Sequence, residues 1–567
     1  MFDAPLLQDH IWSNLIKFNT ITFTARLWVP WLLVVATVLA LCVWILRKQL
    51  RSSPAYFNLF EDINYKFRAR KKRDWAALLA LCVALGITAC YMFTTDNSFF
   101  ENFDLMSLGT IRSLKFGQIS NFDYTRITPL SFWYLSTVYA ITQNMIVIKG
   151  FVFIQLLVAV WTMYCFFNYI PSARRLVFLA VFVLTPTVLL TSKVVFPERD
   201  VIILIMLSLI CMRHFSKSSS LTWLSGFLFF MNAAIYTKET SILLYFGILL
   251  TSVLYNIWNE QIRPQSFLHP LQLIKSMPVE FLIGMSLLLY AIIHFLLQTP
   301  NDENLYLSTN TYSWQMLIYY YKFESTIALA ALGMLIARAV RNYNTAANPM
   351  FRGGLVIGGV CVAVTIIFIL QTAPNSPHLA EKTYYLQLPL LFSLAYIFQN
   401  TRSRLILAVL SLALLIYSAG EIIKARQKEI GIYYREVAEF MATKLPKGND
   451  RTKAAGIFII DATQADATID KWLIEAWSSS YAYYLPEYNI VFKSDKHIPT
   501  DIKGILALRP FTIKAIYFPI LPRKKPENGD WVIINKNNRL PKTLEIMKQL
   551  PEQPEYENFL FKVYRAK

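Results

Sequence analysis

The chain has 567 residues, of which 55% are hydrophobic and 15% aromatic, while only 16% are charged. Soluble domains give about a quarter of their residues to charge, so this composition excludes an ordinary water-soluble enzyme. The formal charge of +19 belongs to connectors that border a bilayer and face anionic lipid, and it implies no nucleic-acid partner.

Residues 1–26 are expected to form an N-terminal interfacial segment, since the basic and apolar regions of a cleavable signal peptide are not seen in them. Within it, Ile11 to Phe18 is expected to lie on the membrane surface as a short amphipathic helix. Apolar runs of about 20 residues then recur, each long enough to cross a hydrocarbon core of roughly 30 Å. They start near Leu27, Trp75, Met145, Leu176, Val201, Leu221, Ser241, Pro278, Lys322, Gly353, Tyr384 and Arg404. This predicts a polytopic α-helical membrane protein with about 12 transmembrane helices over residues 27–420. The run from Val201 meets Arg213 early and is expected to be short, tilted or partly re-entrant.

Orientation follows from the basic residues. Arg47, Lys48, Arg51, Lys66, Arg68, Arg70, Lys71, Lys72 and Arg73 crowd the first connector, which the positive-inside rule places in the cytoplasm. Arg174 with Arg175, Arg213 with Lys217, Arg263 with Lys275, Arg338 with Arg341 and Arg352, and Arg402 with Arg404 fall on that same side if residues 129–143 are interfacial or re-entrant. The six cysteines all lie in apolar runs and read as small core residues, with no disulfide framework or zinc spacing.

The first outer loop, 95–130, is the most polar feature beside the bilayer. Asp96, Glu101 and Asp104 open it, and Arg126 with a Thr-Pro-Leu step closes it. A carboxylate beside a bilayer is costly without a partner or task, which makes these three catalytic candidates. Other outer connectors place Glu198, Arg199 and Asp200, then Lys238 and Glu239, then His378, Glu381 and Lys382, at helix ends. Acids and bases converging on one surface suit a shared aqueous cavity. There, Lys or Arg would hold a phosphate leaving group and a carboxylate would take a hydroxyl proton.

After Ser418 the pattern changes. Residues 421–567 are expected to form an extracytoplasmic α/β domain, entered through a charged helical linker. Strands are predicted at Gly456 to Asp461, Tyr488 to Phe492, Ala515 to Ile520, Asp530 to Asn535 and Phe559 to Tyr564, with helices at Ile469 to Leu485 and Pro541 to Leu550.

The order of these features resembles the GT-C superfamily of membrane glycosyltransferases, in particular the polyprenyl-phosphate-sugar enzymes related to lipid A aminoarabinose transferase and protein mannosyltransferases. In that family a first outer loop carries an acidic pair, then a helix ending in Gly, then a Pro-Leu step. Here Glu101 and Asp104 precede IRSLKFGQ with its Gly117, and ITPL supplies Pro129 and Leu130. PERD at Pro197 to Asp200 is similar to the family's later charged motif, Lys238 to its mid-chain Lys, and EKTYYLQLP, with Lys382 and Tyr385, to its basic residue before a Tyr. The acidic pair departs from the usual adjacency, although three-residue spacing on a helix still gives one face. An extra N-terminal span also precedes the loop.

The resemblance implies an integral protein of the bacterial inner membrane, with its site on the extracytoplasmic face. The donor would be a polyprenyl-phosphate-linked sugar, the acceptor a hydroxyl on a glycan, lipid or protein. Asp104 or Glu101, with Asp96 as the third candidate, would act as base in a single inverting displacement. Lys238, Lys382, Arg199 and Arg126 would bind the donor phosphate. Glu198, Asp200, Glu239, His378 and Tyr385 would contact substrate. A divalent cation, Mg²⁺ or Ca²⁺, would suit the hard carboxylate oxygens, but the sequence requires no metal or other cofactor. A polysaccharide polymerase or ligase would use similar parts. A lipid-linked sugar transporter or flippase would show paired halves and midplane charges, and neither is visible.

Overall fold

The structure is a computed structural model. It describes residues 25–52, 75–94, 130, 145–168, 170–192, 198–238, 241–258, 270–297, 380–401, 403–427, 431–447, 454–460, 488–494, 520–523, 525–538 and 540–566, with isolated positions within 326–337 and at 477 and 481. The chain forms two compact units, one of Met1–Phe93 and Phe116–Ile422, which is helical, and one of Thr94–Lys115 and Ile423–Lys567.

The helical unit contains α1 (Ala25–Ser52), α2 (Trp75–Thr94), α3 (Met145–Phe166), α4 (Ser172–Val183), α5 (Pro186–Ser192), α6 (Glu198–Ser218), α7 (Leu221–Thr237), α8 (Ser241–Trp258), α9 (Pro270–Ser276), α10 (Pro278–Leu297), α11 (Ala380–Asn400) and α12 (Arg404–Gln427). Among the described residues, three helices are long and apolar enough to cross a membrane, within α1, α2 and α3. Large apolar side chains stand exposed along the helices, including Leu41 and Trp44 on α1, Leu79 on α2 and Trp161 on α3. Surfaces of this kind suit a lipid solvent.

Three sequence expectations change here. The run from Leu176 is broken into α4 and α5 rather than continuous. Pro186 cannot donate the next helical hydrogen bond and disfavours helical geometry at Thr185. Thr185 closes the break by donating its hydroxyl to Phe182 O at 2.7 Å. The run from Val201 lies in α6, which has 21 residues and is therefore not short. Its polar residues are accommodated because Arg199 and Arg213 both find partners inside the bundle. The cysteines are not uniformly core either: Cys211 is buried, but Cys82 and Cys90 are exposed. The expected runs from Lys322 and Gly353 lie almost wholly outside the described residues, as does 129–143 apart from Leu130.

A tight hairpin joins α6 and α7. Ser219 adopts φ 51°, and Ser218 Oγ accepts from the Ser220 amide at 3.3 Å. Helix α3 runs parallel to α6 and is tied to it at both ends: Arg199 Nη1 donates to Val152 O at 3.1 Å, and Arg213 Nη1 donates to Phe166 O at 2.6 Å. Near the Phe166 end, Arg174 donates to Thr401 O and Phe398 O, and Arg175 donates to Tyr164 O while its guanidinium lies 3.6 Å from the Tyr164 ring centroid. These arginines, counted in the sequence as an inner basic rim, therefore also satisfy helix-terminal carbonyls that lipid could not.

The second unit opens with α13 (Gly431–Lys444) and contains β1 (Ala455–Ile460), β2 (Ile490–Ser494), β3 (Ile520–Pro522), β4 (Trp531–Asn535), α14 (Pro541–Met547), β5 (Tyr556–Glu557) and β6 (Phe561–Arg565). The sheet order is β3-β2-β1-β4-β6-β5, with β3, β2, β1 and β4 parallel and β6 antiparallel to β4. One face buries Ile457, Phe492, Trp531 and Phe561 with Tyr434, Val437 and Met441 of α13 and with Trp477 and Tyr481. The other buries Phe458, Val532 and Ile534 with Ile546 of α14. Burial on both faces explains why β1 and β4 read as unbroken apolar runs. β2 lies two residues later than predicted, β6 begins two and ends one residue later, and β5 was not predicted.

An ion pair crosses this sheet beside β1. Lys493 Nζ donates to Asp530 Oδ1 at 2.8 Å and to Glu527 Oε2 at 2.5 Å, with both Lys493 and Asp530 buried. Burial opposes the charge on Lys493, but its hydrogen bonds to Asp530 and Glu527 outweigh that and raise its pKa. Gly456 makes the crossing sterically feasible, because a Cβ there would sit 2.0 Å from Asp530 Oδ1. Asp530→Ala should leave the buried ammonium with Glu527 alone and destabilise the unit by up to about 3–5 kcal/mol. Gly456→Ala should weaken it through the clash. Limited proteolysis and thermal unfolding of the purified full chain check this. Wild-type resistance in both variants would show that the pair does not hold the sheet.

Candidate functional site

Helix direction determines which polar residues meet. Because α6 and α7 are antiparallel, the start of α6 (Glu198, Arg199, Asp200) and the end of α7 (Thr237, Lys238) share one end of the helical unit. Parallel packing of α3 on α6 brings the start of α3 to that end too. The Lys238 end is therefore opposite the Arg174, Arg175 and Arg213 end.

Arg199 is only 4% exposed and uses both terminal nitrogens, Nη1 on Val152 O and Nη2 on Ser192 O, each at 3.1 Å. It fastens the last turn of α5 and the first half of α3 to α6. Asp200 Oδ1 accepts from Gln155 Nε2 at 2.6 Å. Beside them lies a small, mostly apolar pocket lined by Leu156, Met163, Phe182, Arg199, Ile202 and Gln387.

Lys238 follows α7 in extended geometry (φ −153°, ψ 122°) and is 8% exposed. Its amide donates to Ala234 O, and its carbonyl accepts from the Ser241 amide, both at 3.0 Å. The Thr237 hydroxyl donates to Ala233 O, and the Ser241 hydroxyl adds a second bond to Ala234 O. The cation therefore sits where the negative end of the α7 dipole favours it. Leu130, the last residue of the Pro-Leu step, donates its amide to Tyr236 O at 3.1 Å. The end of the acidic loop is thus bonded to the helix that carries Lys238. The Tyr236 side chain is buried with its ring edge against Tyr290, and its hydroxyl has no hydrogen-bond partner among the described residues.

Of the residues singled out from the sequence, Arg199, Asp200 and Lys238 gather at this end. Glu198 opens α6, and Lys382 and Tyr385 lie in the first turns of α11; their side chains lie outside the described ones. Asp96, Glu101, Asp104, Arg126, Glu239 and His378 lie outside the described residues. Among the described residues no group of three or more His, Cys, Asp or Glu could hold a metal ion.

Three residues at this end escaped the sequence reading. Lys149 lies on the buried stripe of α3 with Val152 and Leu156, about one turn from the carbonyl that Arg199 holds. An ionisable residue inside an apolar run was a visible signal. Gln155 and Gln387 carried no charge to flag them and emerge only through their contacts.

Among solved structures, the chain is similar to ArnT from Cupriavidus metallidurans in its crystal structure bound to undecaprenyl phosphate. The TM-score is 0.50 and the sequence identity 13%, covering 86% of this chain and 97% of ArnT. No protein-family model matches, and no curated protein does. At this identity the likeness shows the fold alone: the chain folds like ArnT, and with its apolar helices it is an integral membrane protein.

Arg199→Lys tests the clamp. One ammonium cannot reproduce the planar fork that spans two carbonyls, so stability should fall by about 1–3 kcal/mol. Thermal unfolding in detergent should show a clear drop. A melting temperature equal to wild type would mean that Arg199 does not brace the bundle.

Proposed function

We propose that this protein is a membrane glycosyltransferase that moves a sugar from a polyprenyl-phosphate donor to an acceptor hydroxyl on the extracytoplasmic face. The observation that carries this reading is the gathering of Arg199, Asp200 and Lys238 at one end of a GT-C-like helical unit, where Leu130 bonds the end of the acidic loop to α7. The bound undecaprenyl phosphate of the similar ArnT structure supports a polyprenyl-linked partner here.

In this reading Asp104 or Glu101 takes the proton of the attacking hydroxyl, and Asp96 is the remaining candidate. The hydroxyl oxygen bonds to the anomeric carbon as the bond to the phosphate oxygen breaks, and the configuration inverts. Lys238, Lys382 and Arg126 stabilise the departing phosphate. Arg199 contributes its charge from behind, because its terminal nitrogens are engaged with carbonyls. Glu198, Asp200, Glu239, His378 and Tyr385 line the substrate cavity. General-base help is typically worth about 10²–10⁴-fold, and fixed cations act strongly where water is largely excluded. A divalent cation, Mg²⁺ or Ca²⁺, would have Asp104 and Glu101 as its ligands if bound.

Asp104→Asn preserves size and removes the proton acceptor. Turnover of a polyprenyl-phosphate sugar should fall by about 10²-fold or more, with thermal stability unchanged. Glu101→Gln should lose the same or somewhat less. Near-wild-type turnover in both variants would remove this pair from the mechanism and leave Asp96 as the base.

A further inference from the structure

The turn between β5 and β6 carries a bare aromatic ring at its tip. Phe559 is 76% exposed, more than any other large hydrophobic side chain among the described residues. Three hydrogen bonds through Asn558 fix the turn. Oδ1 accepts from the amides of Leu560 at 3.0 Å and Phe561 at 2.8 Å, while Nδ2 donates to Tyr433 O at 2.8 Å. The Phe559 ring lies tilted on Tyr433 with centroids 5.3 Å apart. Holding such a ring rigidly in water is unfavourable, because its apolar area gains from leaving water. The acid beside it, Glu557, is paired with Lys536 and Lys562; the Lys536 hydrogen bond leads in holding its carboxyl below the usual range.

The chain leading into this unit indicates what covers the ring. Helix α12 exposes Leu405, Val409, Leu412, Ile416 and Ile423 at three- to seven-residue spacing, a single apolar stripe suited to lipid. Its apolar stretch, Leu405–Gly420, covers about 24 Å, and Glu421, Lys424 and Arg426 follow it, so the last turns of the helix are polar and suit the headgroup region. Ile423, the last member of the stripe, already belongs to the second unit, and Tyr433 lies in the first turns of α13. Between them come Lys424, Arg426 and Lys428, a basic run suited to anionic headgroups.

We propose that the Tyr433–Phe559 pair is a membrane-interface anchor, seating this edge of the α/β unit in the headgroup boundary of an anionic bilayer. Aromatic rings favour that boundary, where one face meets acyl chains and the other meets water. The partner is the lipid surface.

The test uses the full chain with its native cysteines replaced, in nanodiscs of phosphatidylglycerol and phosphatidylethanolamine. Phe559→Cys carries a nitroxide in one sample. Leu544→Cys, on α14 at the opposite sheet face, carries it in the control. Relaxation of the label at 559 should favour dissolved oxygen over a water-soluble nickel complex several-fold more than at 544. Equal nickel access at the two positions would overturn the proposal. So would spin–spin broadening at 559 that disappears on dilution with unlabelled protein, because it would make the partner a second copy.

Discussion

Two arginines on one helix keep the helical unit in register. Arg199 and Arg213 stand fourteen residues apart on α6, and the carbonyls they hold, Val152 and Phe166, stand fourteen apart on α3. That spacing is about 21 Å along each helix, so the helices are fastened at two points nearly a membrane leaflet and a half apart. In a bilayer, association of helices gains little from apolar burial, because lipid tails are equally apolar. Directed hydrogen bonds from buried cations to carbonyls can decide the pairing instead. A one-residue slip would break both clamps together.

The functional reading depends on that register. With α3 and α6 parallel and α7 antiparallel, Arg199, Asp200, Gln155, Lys149 and Lys238 have one end in common, and the arginines at 174, 175 and 213 have the other. The two ends use charge differently. At the Phe166 end each arginine is engaged with carbonyls or, for Arg213, also with Asn168. At the Lys238 end an acid and several bases are mixed, and the closing residue of the carboxylate loop is bonded to α7. Mixed charge in a partly buried setting is what a displacement with a phosphate leaving group needs, since cations and carboxylates then act with little screening.

Much of the architecture was legible because it rests on hydropathy. The starts of α2, α3, α7, α8, α10 and α12 fall where the apolar runs begin, and β1 and β4 follow from unbroken apolar stretches covered on both faces. The failures have specific causes. Composition around Val201 suggested a weak helix, yet Arg199 and Arg213 are compensated by carbonyls that no local pattern reveals. Pro186 divides one apolar run into two helices. The pair β5 and β6 is placed by Asn558 and by pairing with β4, a long-range effect absent from local propensity. At the site, charged residues were found from their positions at helix ends, whereas Gln155 and Gln387 became visible only through contacts across helices.

The central claim is that the Lys238 end of the bundle receives the phosphate of a polyprenyl lipid. A polyprenyl phosphate with a photoactivatable group beside its phosphate, crosslinked to the protein in bilayers and mapped by mass spectrometry, tests it most directly. The account predicts adducts in peptides that contain Lys149 to Leu156, Arg199 to Ile202 and Tyr236 to Ser241, suppressed by excess unlabelled polyprenyl phosphate. Competable adducts confined to peptides around Phe166 to Arg175 and Arg213 to Ser220 would place the phosphate at the opposite end and contradict it.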